Sequence, residues 1–167
     1  MLKKDVKRVK DFVFPVYIYE KILNQIKDLC RKSKLEIFGY LIGSIQSWNG
    51  KKYIVIKDHL FIMGAIHSDQ YSTSQIEGSA GKYEKRFQKL KQKRKDKDLR
   101  IVGWWHSHPD FGCFLSTTDI HTQEFFFPDS YQVALVVDPI RGELEFFTLD
   151  NKSKDKFKNL SFAVILP

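Results

Sequence analysis

The sequence predicts an α/β domain: a mixed sheet flanked by helices. Three observations carry this. Helix-like and strand-like stretches are interleaved along the chain; the strand-like runs are short, rich in Ile, Val and Phe, and bounded by turn residues. No repeat, linker or compositional break divides the 167 residues into parts. That length suits one domain, 1–167, with a core large enough to hold without staples.

The elements follow in order. Residues 17–31, "YIYEKILNQIKDLCR", place Ile18, Ile22, Ile26 and Leu29 on one face and predict an amphipathic helix. "LEIFGYLIGSIQSW" predicts a strand, and "NGKK" a hairpin turn into a second strand, "YIVIKDHLFIM". The polar segment 67–81, "HSDQYSTSQIEGSAG", reads as a long loop, which in a compact domain is more often functional than not. Residues 82–100 read as a basic helix with Tyr83, Phe87 and Leu90 facing inward. "RIVGWWHSH" predicts a buried strand and "STTDIHTQEFF" a short helix ended by Pro128. "YQVALVVDP" and "GELEFFTLD" pair around an "IRG" turn, and "FAVIL" is a last strand.

Composition excludes several function classes. Hydrophobic residues make up 43% and aromatics 14%, too many for a disordered chain. No apolar run approaches the roughly 20 residues that span a bilayer, and the basic N-terminus lacks the apolar centre of a signal peptide. Only two cysteines, Cys30 and Cys113, are present and far apart, so neither a disulfide scaffold nor a thiolate metal cage is expected; a reducing, cytoplasmic location is. The net charge of +8 is concentrated in residues 82–100, where ten Lys/Arg face three acids. Such a run is either a solvated helix face or a docking site for an acidic partner or nucleic acid.

The chemistry gathers in "GWWHSHPDFGCFLSTTD", residues 103–119. A strand has a side-chain period of two, so His106 and His108 share a face, and Pro109 ends the strand just beyond them. "S-T-T-D" has the form of a helix cap, with Ser116 and Asp119 at the positive helix end. The same cap holds a carboxylate rigidly near the histidine pair. Two His and one carboxylate are three ligands, which leaves zinc a fourth position for water. Glu36, opening the apolar strand "EIFGYLIGS", is either an edge residue reaching solvent or a proton acceptor for that site.

These residues resemble the JAMM (MPN+/Mov34) metalloprotease family. Glu36, Gly39, Leu41 and Gly43 are followed by His106, His108, Ser116 and Asp119, with "VVDP" at 136–139. The resemblance covers about 16–149 and is similar to the deubiquitinating subunits of the proteasome lid and signalosome, in compact form. It implies an MPN fold with cytidine-deaminase-like architecture and one zinc held by His106, His108, Asp119 and a water. It further implies that Glu36 shuttles the water's proton and that Ser116 hydrogen-bonds the oxyanion. The implied substrates are bonds following the C-terminus of ubiquitin or a ubiquitin-like modifier, whose tail the segment Ser68 to Gly81 would clamp. Asp110, Trp105, Phe114 and Thr117-Thr118 depart from the family's usual residues; Asp110 adds charge near the cleft, and Cys113 is expected in the pocket wall. A second insertion after Val-Asp-Pro is missing. Two alternatives stand beside the isopeptidase: an amidase or protease maturing a sulfur-carrier protein, and a non-catalytic MPN scaffold or nucleic-acid-binding module using helix 82–100. The H-x-E and P-C-x-x-C signature of zinc deaminases is absent.

Overall fold

The computed structural model describes residues 13–62 and 73–167, with side chains from 83 onward in the second segment. Among the described residues, eight strands form one mixed sheet: β1 (Val16–Tyr19), β2 (Phe38–Trp48), β3 (Lys51–Ile62), β4 (Arg100–Ser107), β5 (Val133–Asp138), β6 (Glu143–Leu149), β7 (Phe157–Leu160) and β8 (Phe162–Ile165). Among the same residues three helices accompany them: α1 (Glu20–Lys32), α2 (Thr73–Arg94) and α3 (Thr117–Phe126). The strand order is β7-β6-β5-β4-β2-β3-β1-β8. β1 runs parallel to β3 and β8, and β4 parallel to β5; the other pairs are antiparallel.

β7 and β8 sit at opposite edges of the sheet, yet only Ser161 separates them in the chain. The sheet must therefore curl until its edges meet, and Phe162 on β8 packs against Phe146 on β6 with ring centroids 5.0 Å apart. Inside the curl, α1 buries Ile22, Leu23, Ile26 and Cys30 against Leu41, Ile56, Trp105 and Leu135. Each fully buried aliphatic chain there contributes about 1.5–3 kcal/mol. The other face carries α2 and α3, with Tyr83, Leu115 and Phe127 against Tyr40, Ile42, Trp104 and Val136.

Most expected elements form, and the differences have physical causes. The helix expected over 17–31 begins at Glu20, because Val16 to Ile18 pair with both β3 and β8, and Tyr19 with β8. Ile18 is buried as a strand residue, and Leu23 and Cys30 take the helix's inner face beside Ile22 and Ile26. Tertiary pairing overrides a helical spacing four residues long. The hairpin turn is Asn49-Gly50, both at positive φ (48° and 75°), as a two-residue turn of this hand requires. β7 escapes sequence reading because its four residues "FKNL" show no strong pattern.

The polar segment 67–81 is not one loop: residues 73–81 form the first turns of α2, and 67–72 lie outside the described residues. The basic helix expected over 82–100 ends at Arg94, and Tyr83, Phe87 and Leu90 face the core as expected. Part of its charge is engaged within the chain. Arg94 pairs with Asp58 at 2.7 Å, Arg86 donates to the Phe61 carbonyl at 2.9 Å, and beyond the helix Asp96 takes Lys57 at 2.8 Å. No described helix is long and apolar enough to cross a membrane.

Candidate metal centre

β4 aims its side chains through a bulge. Leu41 pairs with Gly103 and Ile42 with Ile101, leaving Val102 as the extra residue. The bulge shifts the alternation, so Val102 and Trp105 enter the α1 core while Trp104 and His106 face the other way. Gly103 is required at this step, because a Cβ there would collide with the Val133 carbonyl oxygen of β5. At the strand end, the His108 amide still donates to Val137 O at 2.9 Å. Pro109 follows and the chain turns away, with Asp110 at φ 66° and Gly112 at φ 80°.

α3 delivers the carboxylate. Ser116 is its N-cap, and the capping box is complete. Asp119 N donates to Ser116 Oγ at 3.2 Å, while Ser116 N and Oγ donate to Asp119 Oδ2 at 2.8 and 2.7 Å. The cap and the candidate ligand are thus the same residues, which resolves the two readings of "S-T-T-D": both hold.

His106, His108 and Asp119 converge, all buried, with their ligating atoms within 4.8 Å of one another. The two Nε2 atoms are 3.1 Å apart; Asp119 Oδ1 is 3.3 Å from His106 Nε2, and Oδ2 is 3.4 Å from His108 Nε2. A tetrahedral ion with bonds of 2.0–2.1 Å keeps its ligand atoms about 3.3–3.4 Å apart, so the spacing fits zinc. The donors' own chemistry agrees. Gly112 O can only accept, so its 3.1 Å contact with His108 Nδ1 places the proton there and leaves the Nε2 lone pair facing the cluster. Asp119 Oδ1 is buried and accepts no hydrogen bond from a described residue, a costly state that a cation would relieve.

Charge is correspondingly concentrated. Burial pushes the Asp119 carboxyl up, but His106, His108 and Ser116 outweigh it and hold it well below the usual carboxylate range. Burial pushes His108 down, yet Asp119, Glu36 and the Gly112 carbonyl together raise it above its ordinary value. Glu36 is half-buried on the extension of β2. Phe38 pairs with His106, and Ile37 and Ser107 exchange two bonds of 3.0 Å, so the same register sets Glu36 across from His108. The strand alternation then puts Glu36 on the histidine face.

The remaining expected residues lie around this centre. Asp110 is exposed, and its carboxylate meets Arg141 Nε at 3.2 Å, so its charge near the cleft is balanced rather than bare. Cys113 turns inward: its thiol donates to Val136 O, and burial pushes its pKa up to about 11. Phe111 and Phe114 are exposed, and the Phe114 ring lies 4.9 Å from that of His108. Of the segment from Ser68 to Gly81, no side chain is described.

Three residues at the site lie in stretches that carry the family resemblance but have no role assigned from sequence. Trp104 stacks flat on His106, centroids 4.4 Å apart, and donates to Gln123 Oε1 at 2.7 Å. Gln123, on α3, donates in turn to Phe127 O and Gln132 O, tying the helix that carries Asp119 to the strand that carries His106. Asp138, at the end of β5, is fully buried and accepts from four backbone amides.

The chain resembles known proteins in sequence and in fold. Ubiquitin carboxyl-terminal hydrolase RPN11 of Saccharomyces cerevisiae is 51% identical over 51 residues, 30% of this chain and 17% of that protein. COP9 signalosome complex subunit 5 of Debaryomyces hansenii is 34% identical over 119 residues, 69% of this chain and 24% of that one. The match spans under a third of either relative's length. The solution structure of protein DSY2949 from Desulfitobacterium hafniense has the same fold, with a TM-score of 0.58 at 17% identity, covering 91% of this chain and 92% of that one. The family profile for JAB1/Mov34/MPN/PAD-1 ubiquitin protease matches residues 11–128, more than half of the sequence, and the chain belongs to that family.

Proposed function

We propose that this chain is a zinc-dependent hydrolase that cleaves the peptide or isopeptide bond after the C-terminus of ubiquitin or a ubiquitin-like modifier. One observation carries the reading: three buried ligating groups of zinc-like spacing with a carboxylate, Glu36, in register beside them. His106, His108 and Asp119 hold the ion. Zinc supplies Lewis acidity, which lowers the pKa of water toward about 7 and polarises a carbonyl.

The chain's own groups do the rest. Glu36 takes the proton of the attacking water and returns it to the leaving amine, work typically worth about 10²–10⁴-fold in rate. The Ser116 hydroxyl, half-buried at the helix start, swings from Asp119 to the developing oxyanion; such a donor lowers the barrier by about 3–4 kcal/mol. Phe111 and Phe114 give the modifier's tail an apolar rim, and the segment from Ser68 to Gly81 clamps it. A non-catalytic scaffold has no use for a complete ligand set with a base beside it, and this favours the enzyme. The free thiols of Cys30 and Cys113 suit the cytoplasm.

The test uses fluorogenic C-terminal amides of ubiquitin and of several ubiquitin-like proteins, with and without chelator. Hydrolysis should stop on chelation and return with about one zinc per chain. Glu36→Gln should keep the zinc and lose nearly all turnover. Full activity in the metal-free chain, or loss of zinc from Glu36→Gln, overturns the reading.

A further inference from the structure

Asp138 is a buried carboxylate whose two oxygens divide their work between two turns. Oδ1 accepts from the amides of Ile140 and Arg141, both at 3.0 Å, in the turn after β5, and from Asp110 N at 3.1 Å. Oδ2 accepts from Gly112 N at 2.7 Å, the shortest of the four. Asp138 thus clips the turn after β4 to the turn after β5. Gly112 then presents its carbonyl to His108 Nδ1 at 3.1 Å. Two short contacts therefore connect Asp138 to the ring of His108, both through one glycine at φ 80°.

We infer that Asp138 is a positioning residue for His108: by holding Gly112 it fixes the ring's tautomer and aims Nε2 into the cluster. The tautomer part stands on geometry alone; the consequence for metal rests on the proposed zinc site. A backbone carbonyl that accepts from a ligating histidine raises its basicity and sets its orientation, and losing such support typically costs about 10–100-fold in metal affinity. What is unusual here is that the supporting carbonyl belongs to a turn, so it needs support of its own. The side chain that gives it lies 26 residues further along the sequence.

Asp138→Asn tests this with little change of shape. If Asn keeps its oxygen toward Asp110, Ile140 and Arg141, its amide must face Gly112 N–H, donor against donor; the Gly112 link is the one that breaks. Two readings are taken on the full chain. The first is the ¹⁵N imidazole spectrum of the metal-free protein, at a pH above the ring's titration. The second is zinc affinity by competition with a chelating dye. The parent should show His108 protonated at Nδ1. Asp138→Asn should show mixed tautomers at His108 with His106 unmoved, and zinc binding about 10–100-fold weaker.

If Asp138→Asn fails to fold, Gly112→Ala disturbs the same carbonyl from the solvent side, since a Cβ at φ 80° strains the turn and meets Arg141 Nη1 at 3.2 Å. It should shift the same two readings in the same direction. A folded Asp138→Asn, or in its stead Gly112→Ala, with the parent's tautomer overturns the inference. A changed tautomer with unchanged zinc affinity instead overturns the assignment of His108 as a ligand and leaves Asp138's positioning role standing.

Discussion

His106 and His108 stand two residues apart, yet unlike means hold them. His106 lies flat on Trp104, inside the sheet, with its surroundings fixed by the buried bonds of Gln123. His108 lies past the strand's last residue and takes its ring orientation from a turn held by Asp138. One ligand is set by packing that also holds the fold together; the other is set by a local clip. The difference predicts that the two supports fail differently, the first globally and the second only around the site.

The largest effect tests the packed side. Trp104 is almost fully buried among Phe127, His106 and Val136, and its indole N–H is bonded. Trp104→Ala leaves a cavity and an unpaired Gln123 oxygen, so global stability should fall by about 3–5 kcal/mol, read by denaturant unfolding of the metal-free chain. Asp138→Asn should cost much less of global stability than this. Equal losses in the two variants would erase the distinction between the supports.

The same division decides what was legible in the sequence. His106 and His108 share a face by strand period alone, and Ser116 and Asp119 form a cap by spacing alone; both are local rules. Glu36 needed the family resemblance, because its place depends on the β2–β4 register and on a bulge at Val102 that no short pattern announces. Trp104, Gln123 and Asp138 act through partners 19 to 28 residues distant or through backbone groups, so their types carry no signal by themselves. β1 was hidden for a related reason: Ile18 and Ile22 have helical spacing, but strand pairing on both sides claims the first of them. Local chemistry was readable. What positions it was not.

A smaller effect is expected from acid. Burial pushes the Asp138 carboxyl up, but the amides of Arg141, Gly112, Asp110 and Ile140 more than offset it and leave its pKa below the ordinary carboxylate value. A depressed folded pKa contributes stability that is fully present above the unfolded value of about 3.9 and is lost as pH falls through the folded one. Asp110 and Glu143 also act on Arg141, which keeps its charge, so the comparison must be with Asp138→Asn rather than with neutral pH alone. Urea unfolding should show parent and variant converging as pH drops below about 4. A gap that stays constant from pH 6 to 3 means the Asp138 charge adds nothing to the clip.

The smallest effect concerns the outside of that clip. Arg141 spans the two turns from the solvent side: its guanidinium meets Asp110 Oδ1 at 3.2 Å and Asp110 O at 2.9 Å, and lies 3.6 Å from Asp138 Oδ2. It has the geometry of a second clasp. But the Asp110 carboxylate is two-thirds exposed and the arginine about half, so water and salt screen the pair and side-chain entropy opposes it. The backbone bonds to Asp138 lie beneath, the one from Gly112 buried, and none of them passes through the Arg141 side chain. Arg141→Gln should therefore leave the unfolding midpoint and the His108 tautomer as in the parent, and zinc affinity within about 2-fold, far from the 10–100-fold expected when the support of a ligand is removed. A loss as large as that of Asp138→Asn would move the clip from the buried carboxylate to the surface pair, and with it the explanation of how His108 is held.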